Sequence, residues 1–387
     1  MSVEVATPTQ APAEAEVMKA PPSEAATTVE RVRRTFTTAS TTAEGSPVTL
    51  QPQVLQPQVV RPAVVPKKGG ETKAGSPKRK WKSKRENFPD LNTPYDIAIK
   101  FLFGSAVVTW PILLILSIDS PERMQVSWLI TLHILSWLKV GVGMSIVLHR
   151  FFAHQSFTCS RPFAFFLGII GCLAGQRSPL WWASKHRVHH QNSDLPSDPH
   201  SPVQMGFWRA FLLWTVEPHG LRTDTEVLPK NLLTWELILL ERLYFLVPLC
   251  EYFLWWKFMG WGYMLKVGVA SSCICQGGSL FFNVLFHEND EFKPVVGHAS
   301  NTDVMTLVKL FLGAFAATLP LGLVNPVHLL GSLSCLTFYM VGEHAHEDHH
   351  RHPALAKRGG FDPLAVMLLP PLKAMGLVNW APSNWRE

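Results

Sequence analysis

Hydrophobic and polar positions alternate along this chain in long blocks. Phe101–Ile118 carries no charge, and Met124–Leu148 is interrupted only by Lys139. Val267–Phe286 is again uncharged, while Leu243–Gly262 is a weaker run broken by Glu251 and Lys257. About twenty consecutive apolar residues suffice to cross the hydrocarbon of a bilayer as a helix, so the pattern predicts four transmembrane helices. Asp119, Ser120, Pro121 and Glu122 form the turn between the first two. The apolar piece Pro162–Gln176 is short for a span and predicts a helix that dips into the interface and returns. A further uncharged stretch, Leu310–Gly342, is broken by Pro320 and Asn325-Pro326 and reads as a hairpin over 304–341 that crosses twice or not at all. The fold class expected is an all-α integral membrane protein.

Composition sharpens this picture. Of 387 residues, 47% are hydrophobic and only 17% are charged, which excludes a soluble enzyme with one uniform surface. Residues 1–92 have a different character, rich in Pro, Ala, Thr and Gln, with LQPQV repeated at 50–59; such a segment cannot bury a core and reads as a disordered tail. Early acids (Glu4, Glu14, Glu16, Glu24, Glu30) favour a cytosolic tail over a plastid or mitochondrial transit peptide. From Lys78 to Arg85, six of eight residues are basic, shortly before the first apolar run. The positive-inside bias then places this end in the cytosol, a better reading than nucleic-acid binding. Counting four crossings from there puts every histidine cluster described next on the cytosolic side. The six Cys form no CxxC pair, which argues against a disulfide scaffold or a thiolate zinc site.

The chemistry lies in the 16 His. They cluster as His149-x-x-x-x-His154, His186-x-x-His189-His190 and His346-x-x-His349-His350, with Asn283-x-x-x-His287 as a fourth element. Helical positions i, i+3 and i+4 share a face, so each HxxHH is expected to aim three imidazoles at one point. His149 and His154 stand roughly 140° apart on an ideal helix and can converge only if the helix distorts. Nine imidazoles with almost no acid or thiolate ligands suit a borderline transition metal, four or five nitrogens to each of two ions, and iron if the chemistry is oxygen activation. His133, His219, His298 and His328 read as ordinary interfacial or hydrogen-bonded residues. A rival pattern is also present: His346-Glu347-x-x-His350 spells HExxH, the motif of a zinc metalloprotease with Glu347 as general base.

Over residues 95–382 the chain resembles the integral-membrane fatty acyl desaturases, and among them the stearoyl-CoA and acyl-lipid delta-9 group. The resemblance rests on HRFFAHQSF (149–157), on HRxHHxxSD, DPH and GFW within 182–214, on Asn283–His287, and on Gly342-Glu343-x-x-His346-x-x-His349-His350. It implies four transmembrane helices under a cytosolic helical cap that holds two irons, in a desaturase domain spanning 93–387. By position the iron ligands would be His149, His154, His186, His189, His190, His287, His346, His349 and His350, with Asn283 acting through a bound water. It implies oxygen-dependent insertion of a cis double bond, delta-9 in type, into a saturated chain, and an endoplasmic reticulum location, with a plastid membrane as the alternative. A related di-iron hydroxylase would share these boxes. The family's acyl tunnel makes Trp181, Trp182, Trp208 and Trp214 candidate lining residues, membrane-interface placement being the alternative. No HPGG haem-binding motif is present, so electrons would come from a separate cytochrome b5 or ferredoxin. Two departures put an acyl-CoA substrate in doubt: Ser184-Lys185 replaces an Arg-Asp pair, and Thr215-Val216-Glu217-Pro218 replaces a basic pair. The carrier, lipid or CoA, stays open.

Overall fold

In the computed structural model, which describes residues 88–119, 122, 125–287 and 341–386, nearly all regular structure is helical. The tail up to residue 87, with its basic cluster at 78–85, and most of the 304–341 hairpin lie outside the described residues. Residues 88–92, read from sequence as tail, pack on the fold. Leu91 is 2% exposed, and the side-chain amide of Asn92 bonds the backbone of Thr223 in both directions.

The first apolar run is two helices rather than one, α1 (Pro94–Gly104) and α2 (Ala106–Asp119). Thr93 opens α1 with a capping box: its hydroxyl accepts from the Asp96 N–H, the Asp96 carboxylate accepts from the Thr93 N–H, and Pro94 occupies the first turn. The helix ends at extended Ser105, and the chain bends there by 42°. Gly104 is needed at this corner, because a Cβ there would stand 2.2 Å from Cγ of Arg177, which crosses it to reach the Lys100 carbonyl.

The second run is α3 (Val126–Leu138), continued by a π-helix over Lys139–Ala153 into one helix of 28 residues. Against it packs α4 (Arg161–Leu173), the short apolar piece, at such close range that a Cβ on Gly171 would meet Leu148 at 2.8 Å. α5 (Pro179–Asn192) follows, with Ser178 as its N-cap and Pro179 in its first turn. The third run forms α7 (Leu246–Met259) and is preceded by a separate helix, α6 (Trp235–Leu243). The last run is a helix of 27 residues, Trp261–His287, which includes a π segment at Met264–Val269 and ends as α8 (Ala270–His287). Among the described residues, two helices are therefore long and apolar enough to cross a membrane, or three if the bent α1–α2 pair counts as one.

The four spans expected from hydropathy are thus not all present as continuous helices. At 1.5 Å per residue α7 is about 21 Å long, short of the ~30 Å hydrocarbon layer. Lys139, which interrupts the second run, and Glu251, one of the two charges in the third, prove to be one ion pair: Lys139 Nζ lies 2.8 Å from Glu251 and also donates to Ser272 Oγ at 2.7 Å. The all-α expectation needs a small amendment too. Thr158–Cys159 pairs antiparallel with Val378–Asn379, fastening the C-terminal segment beside the first histidine box. That segment carries α9 (His346–Arg351) and α10 (Pro363–Ala374).

Below the histidines the interior is held by buried polar contacts. Glu241 on α6 receives Lys100 of α1 at 3.0 Å, the backbone N–H of Trp181 at 3.1 Å, and the hydroxyls of Ser178 and Thr223. Replacing Glu241 with Ala would leave the Lys100 ammonium buried without its counter-charge. Losses of this kind cost about 3–5 kcal/mol. Glu241→Ala is expected to lower the melting temperature of the detergent-solubilised protein sharply, with Glu241→Gln intermediate; an unchanged melting curve would show that the pair contributes little.

Candidate metal centre

The π-helix resolves the awkward spacing of the first box. Its bonds run from residue i+5 back to i, and the His154 N–H reaches the His149 carbonyl at 3.1 Å. The wider turn brings two positions that diverge on an α-helix onto nearly the same face, with ring centroids 5.1 Å apart. The other boxes sit on α5, at the end of α8 and on α9, and all four elements deliver their histidines to one buried region.

The nine imidazoles form two clusters. His149, His154, His186, His190 and His349 make the first; His189, His287, His346 and His350 make the second; within each, the candidate ligand atoms all lie within 4.8 Å of one another. The expectation that each HxxHH aims three rings at one point is corrected here. Adjacent helical residues diverge by about 100°, so positions i+3 and i+4 cannot share a target. His186 and His190 turn to the first cluster and His189 to the second; on α9, His349 joins the first while His346 and His350 join the second. Each HxxHH therefore bridges both clusters. A third grouping, His189 with Asp198 and His200, shares His189 with the second cluster.

The donor set fits a cation. His349 Nε2 lies 2.8 Å from His149 Nε2 and 2.9 Å from His190 Nε2, while His346 Nε2 lies 3.1 Å from His287 Nε2 and 3.2 Å from His350 Nε2. One proton on a central nitrogen can satisfy only one of its two contacts, so lone pairs are left facing each other. His189 Nε2 is buried with no hydrogen-bond partner among the described residues, an uncommon and costly state for a polar atom unless something else completes it. Burial, reinforced by the neighbouring imidazoles, holds His186, His190, His346 and His350 well below the usual imidazole range; at His349 burial is again the main cause, followed by His149 and Arg358. All five are then neutral near pH 7, the form that binds a metal.

Three carboxylates stand behind the rings. Glu343 accepts from His149 Nδ1 at 3.1 Å, Asp198 from His189 Nδ1 at 2.9 Å and Asp194 from His287 Nδ1 at 3.1 Å. A carboxylate on Nδ1 fixes the tautomer and turns the Nε2 lone pair toward the cluster. Burial alone would raise the Glu343 carboxyl, but Arg358 at 2.7 Å and His149 outweigh it and hold Glu343 well below the carboxylate range. The sequence reading missed these roles although the residues stood in the quoted motifs. The signal was an acid within a turn or two of a histidine box.

A cavity opens beside the clusters, bounded by His149, His186 and His346 at the centre and by Met144, Leu280 and Phe282 along its walls. Trp181, Trp182 and Trp214 line it, as does Asn283; Trp208 does not, being 67% exposed. Three polar side chains of the wall bond each other: Trp182 Nε1 donates to Gln176 Oε1 at 2.8 Å, and Gln176 Nε2 to Ser279 Oγ at 2.7 Å. Glu347, the base of the protease pattern, pairs with Arg351 on a partly exposed face, and His346 and His350 share their cluster with His189 and His287.

Glu343→Gln would keep the shape at His149 but leave the Arg358 charge uncompensated beside the first cluster. Such changes typically cost 10–100-fold in metal affinity. Metal retention during dialysis against a chelator should fall by that order at one of two positions; full retention at both would separate Glu343 from the centre.

No family model matches the chain. Among curated proteins it is 36% identical over 151 residues to Delta-9 acyl-lipid desaturase 1 of Arabidopsis thaliana, covering 36% of this chain and 48% of that one. It is 29% identical over 140 residues to the sn-1 stearoyl-lipid 9-desaturase of Anabaena variabilis, covering 35% and 51%. It is 39% identical over 72 residues to the Acyl-CoA C20 Delta5-desaturase of Anemone leveillei, covering 19% and 23%. The chain spans about half, or less, of the length of these relatives. Over the stretches that match, it is a homologue of the acyl-lipid and acyl-CoA desaturases.

Proposed function

We propose that this protein is an oxygen-dependent di-iron desaturase that introduces a cis double bond, delta-9 in type, into a saturated acyl chain. The observation that carries the reading is the division of nine buried or half-buried imidazoles into a five and a four, beside a cavity with largely apolar walls. Two irons held by these rings, with reducing equivalents from a separate cytochrome b5 or ferredoxin, would supply the oxygen-activating chemistry that takes hydrogen from two adjacent methylenes. Overall, the chain's two hydrogens, O₂, two electrons and two protons leave as two waters. Asn283, in the cavity wall one turn before His287, would act on the second cluster through a bound water.

The chain's own residues contribute position and dryness. A saturated chain offers no polar handle, so only the shape of the cavity can decide which carbons face the centre. Met144, Leu280, Phe282 and the tryptophans give it apolar walls, and the mutual bonding of Gln176, Trp182 and Ser279 leaves their polar atoms already satisfied. The clusters then sit at the cytosolic ends of the spans in an endoplasmic reticulum membrane, with a plastid membrane as the alternative. The deciding experiment is expression in a desaturase-deficient host with location of double bonds in the lipids. A new cis double bond is expected, lost together with bound iron in His189→Ala and His350→Ala while membrane insertion persists. A hydroxylated product would move the chain to the related hydroxylases, and activity in either variant would overturn the di-iron assignment.

For the acyl carrier we favour a glycerolipid over CoA. A polar cleft lined by Lys185, Arg209, His219 and Arg222 shares Lys185 with the cavity. Its cations are largely engaged: Lys185 bonds Asp224 at 2.7 Å, and Arg209 grips Glu217 at 2.6 and 2.9 Å. A cleft so neutralised suits a head group of low net charge better than the several phosphate charges of CoA. In competition between stearoyl-CoA and the same chain on phosphatidylcholine, with matched electron donors, the phospholipid should be converted at least as fast. Conversion of the thioester alone would reverse the assignment and give Arg222 the phosphates.

A further inference from the structure

The two clusters differ in what stands behind them. In the first, among the described residues, only His149 of five imidazoles has a carboxylate on its Nδ1, and that Glu343 is bound by Arg358, whose other nitrogen lies 3.3 Å from the same His149 Nδ1. A second buried pair, Arg150 with Asp362 at 2.6 Å, adjoins it. Around this cluster two guanidiniums therefore cancel two carboxylates. In the second cluster, two of four imidazoles have carboxylates behind them, and neither acid meets a Lys or Arg among the described residues. Asp198 takes the backbone N–H groups of Asp194 and His200, at 2.9 and 3.1 Å, and Asp194 takes the Ser201 hydroxyl at 2.7 Å. Both acids are buried, so water screens them weakly.

We infer that the two metal positions are unequal: the one among His189, His287, His346 and His350 holds a divalent cation more tightly than the five-histidine position and empties last. The inference rests on the dimetal reading above. A dication entering the second cluster is met by two uncompensated negative charges acting through their imidazoles, whereas at the first the field of Glu343 is offset by Arg358. The fifth imidazole of the first cluster adds a donor but no charge. The buried Nε2 of His189 points the same way, since this ring has its carboxylate in place and its remaining lone pair has no partner among the described residues.

The test uses the full-length iron-loaded protein in lipid nanodiscs, exposed to excess chelator while bound iron per chain is counted. Two phases of about one iron each are expected, with rates differing by roughly tenfold or more, the scale of effects exerted by carboxylates behind metal ligands. His154→Ala, which touches only the first cluster, should retain one iron that leaves slowly; His350→Ala should retain one that leaves fast. In Asp194→Asn/Asp198→Asn the slow phase should accelerate toward the fast one. If that double variant does not fold, the comparison of His154→Ala with His350→Ala decides alone. A single phase for both irons, or an iron in His350→Ala that outlasts the one in His154→Ala, would overturn the inference. A wild-type chain that binds no iron would overturn the dimetal reading itself, and the inference with it.

Discussion

Imidazole lone pairs that face each other across 2.8–3.2 Å repel unless a positive charge lies between them, and the surrounding fold is built to hold them there. No single element could do so. Each ring arrives on a helix that is fixed elsewhere: the π-helix by close packing against α4, α5 by its Ser178 cap and Glu241, α9 by the Arg358–Glu343 contact just ahead of it. The rigidity is placed one layer behind the rings. Carboxylates hold three of the nine Nδ1 atoms, and the buried Arg358 guanidinium holds one of those carboxylates, Glu343, in turn. This division suits a site that must gather like dipoles without collapsing them onto one another.

The histidine boxes were legible because their spacing is local, and three or four residues on a helix fix relative direction. Their allocation between two centres was not read, although the same geometry contains it. His189 and His190 are neighbours in sequence and so must point about 100° apart, which splits every HxxHH. The π-helix was foreseen only as a need for distortion between His149 and His154. What stayed hidden were contacts between distant parts of the chain: Arg358 stands 209 residues from His149, and Glu251 stands 112 from Lys139. The departure from four hydropathic spans has the same origin. Window averaging treats Glu251 and Lys257 as weak interruptions, whereas a break at Tyr244–Phe245 and a glycine at 260 bound a helix of only 14 residues.

The Lys139–Glu251 pair shows how the apolar part and the metal-bearing part constrain each other. Lys139 begins the π-helix that ends beside His154, and it donates to Ser272 and to the Gly268 carbonyl within the last long helix, which ends at His287. An ammonium and a carboxylate placed among apolar helices are costly apart and tolerable together, so the pair sets how these helices stand beside one another. That relation in turn sets the distance between the first box, at one helix end, and His287, at the other. A contact remote from the nine imidazoles thereby limits where they can meet, and charges that weaken a hydropathy signal become part of what positions the centre.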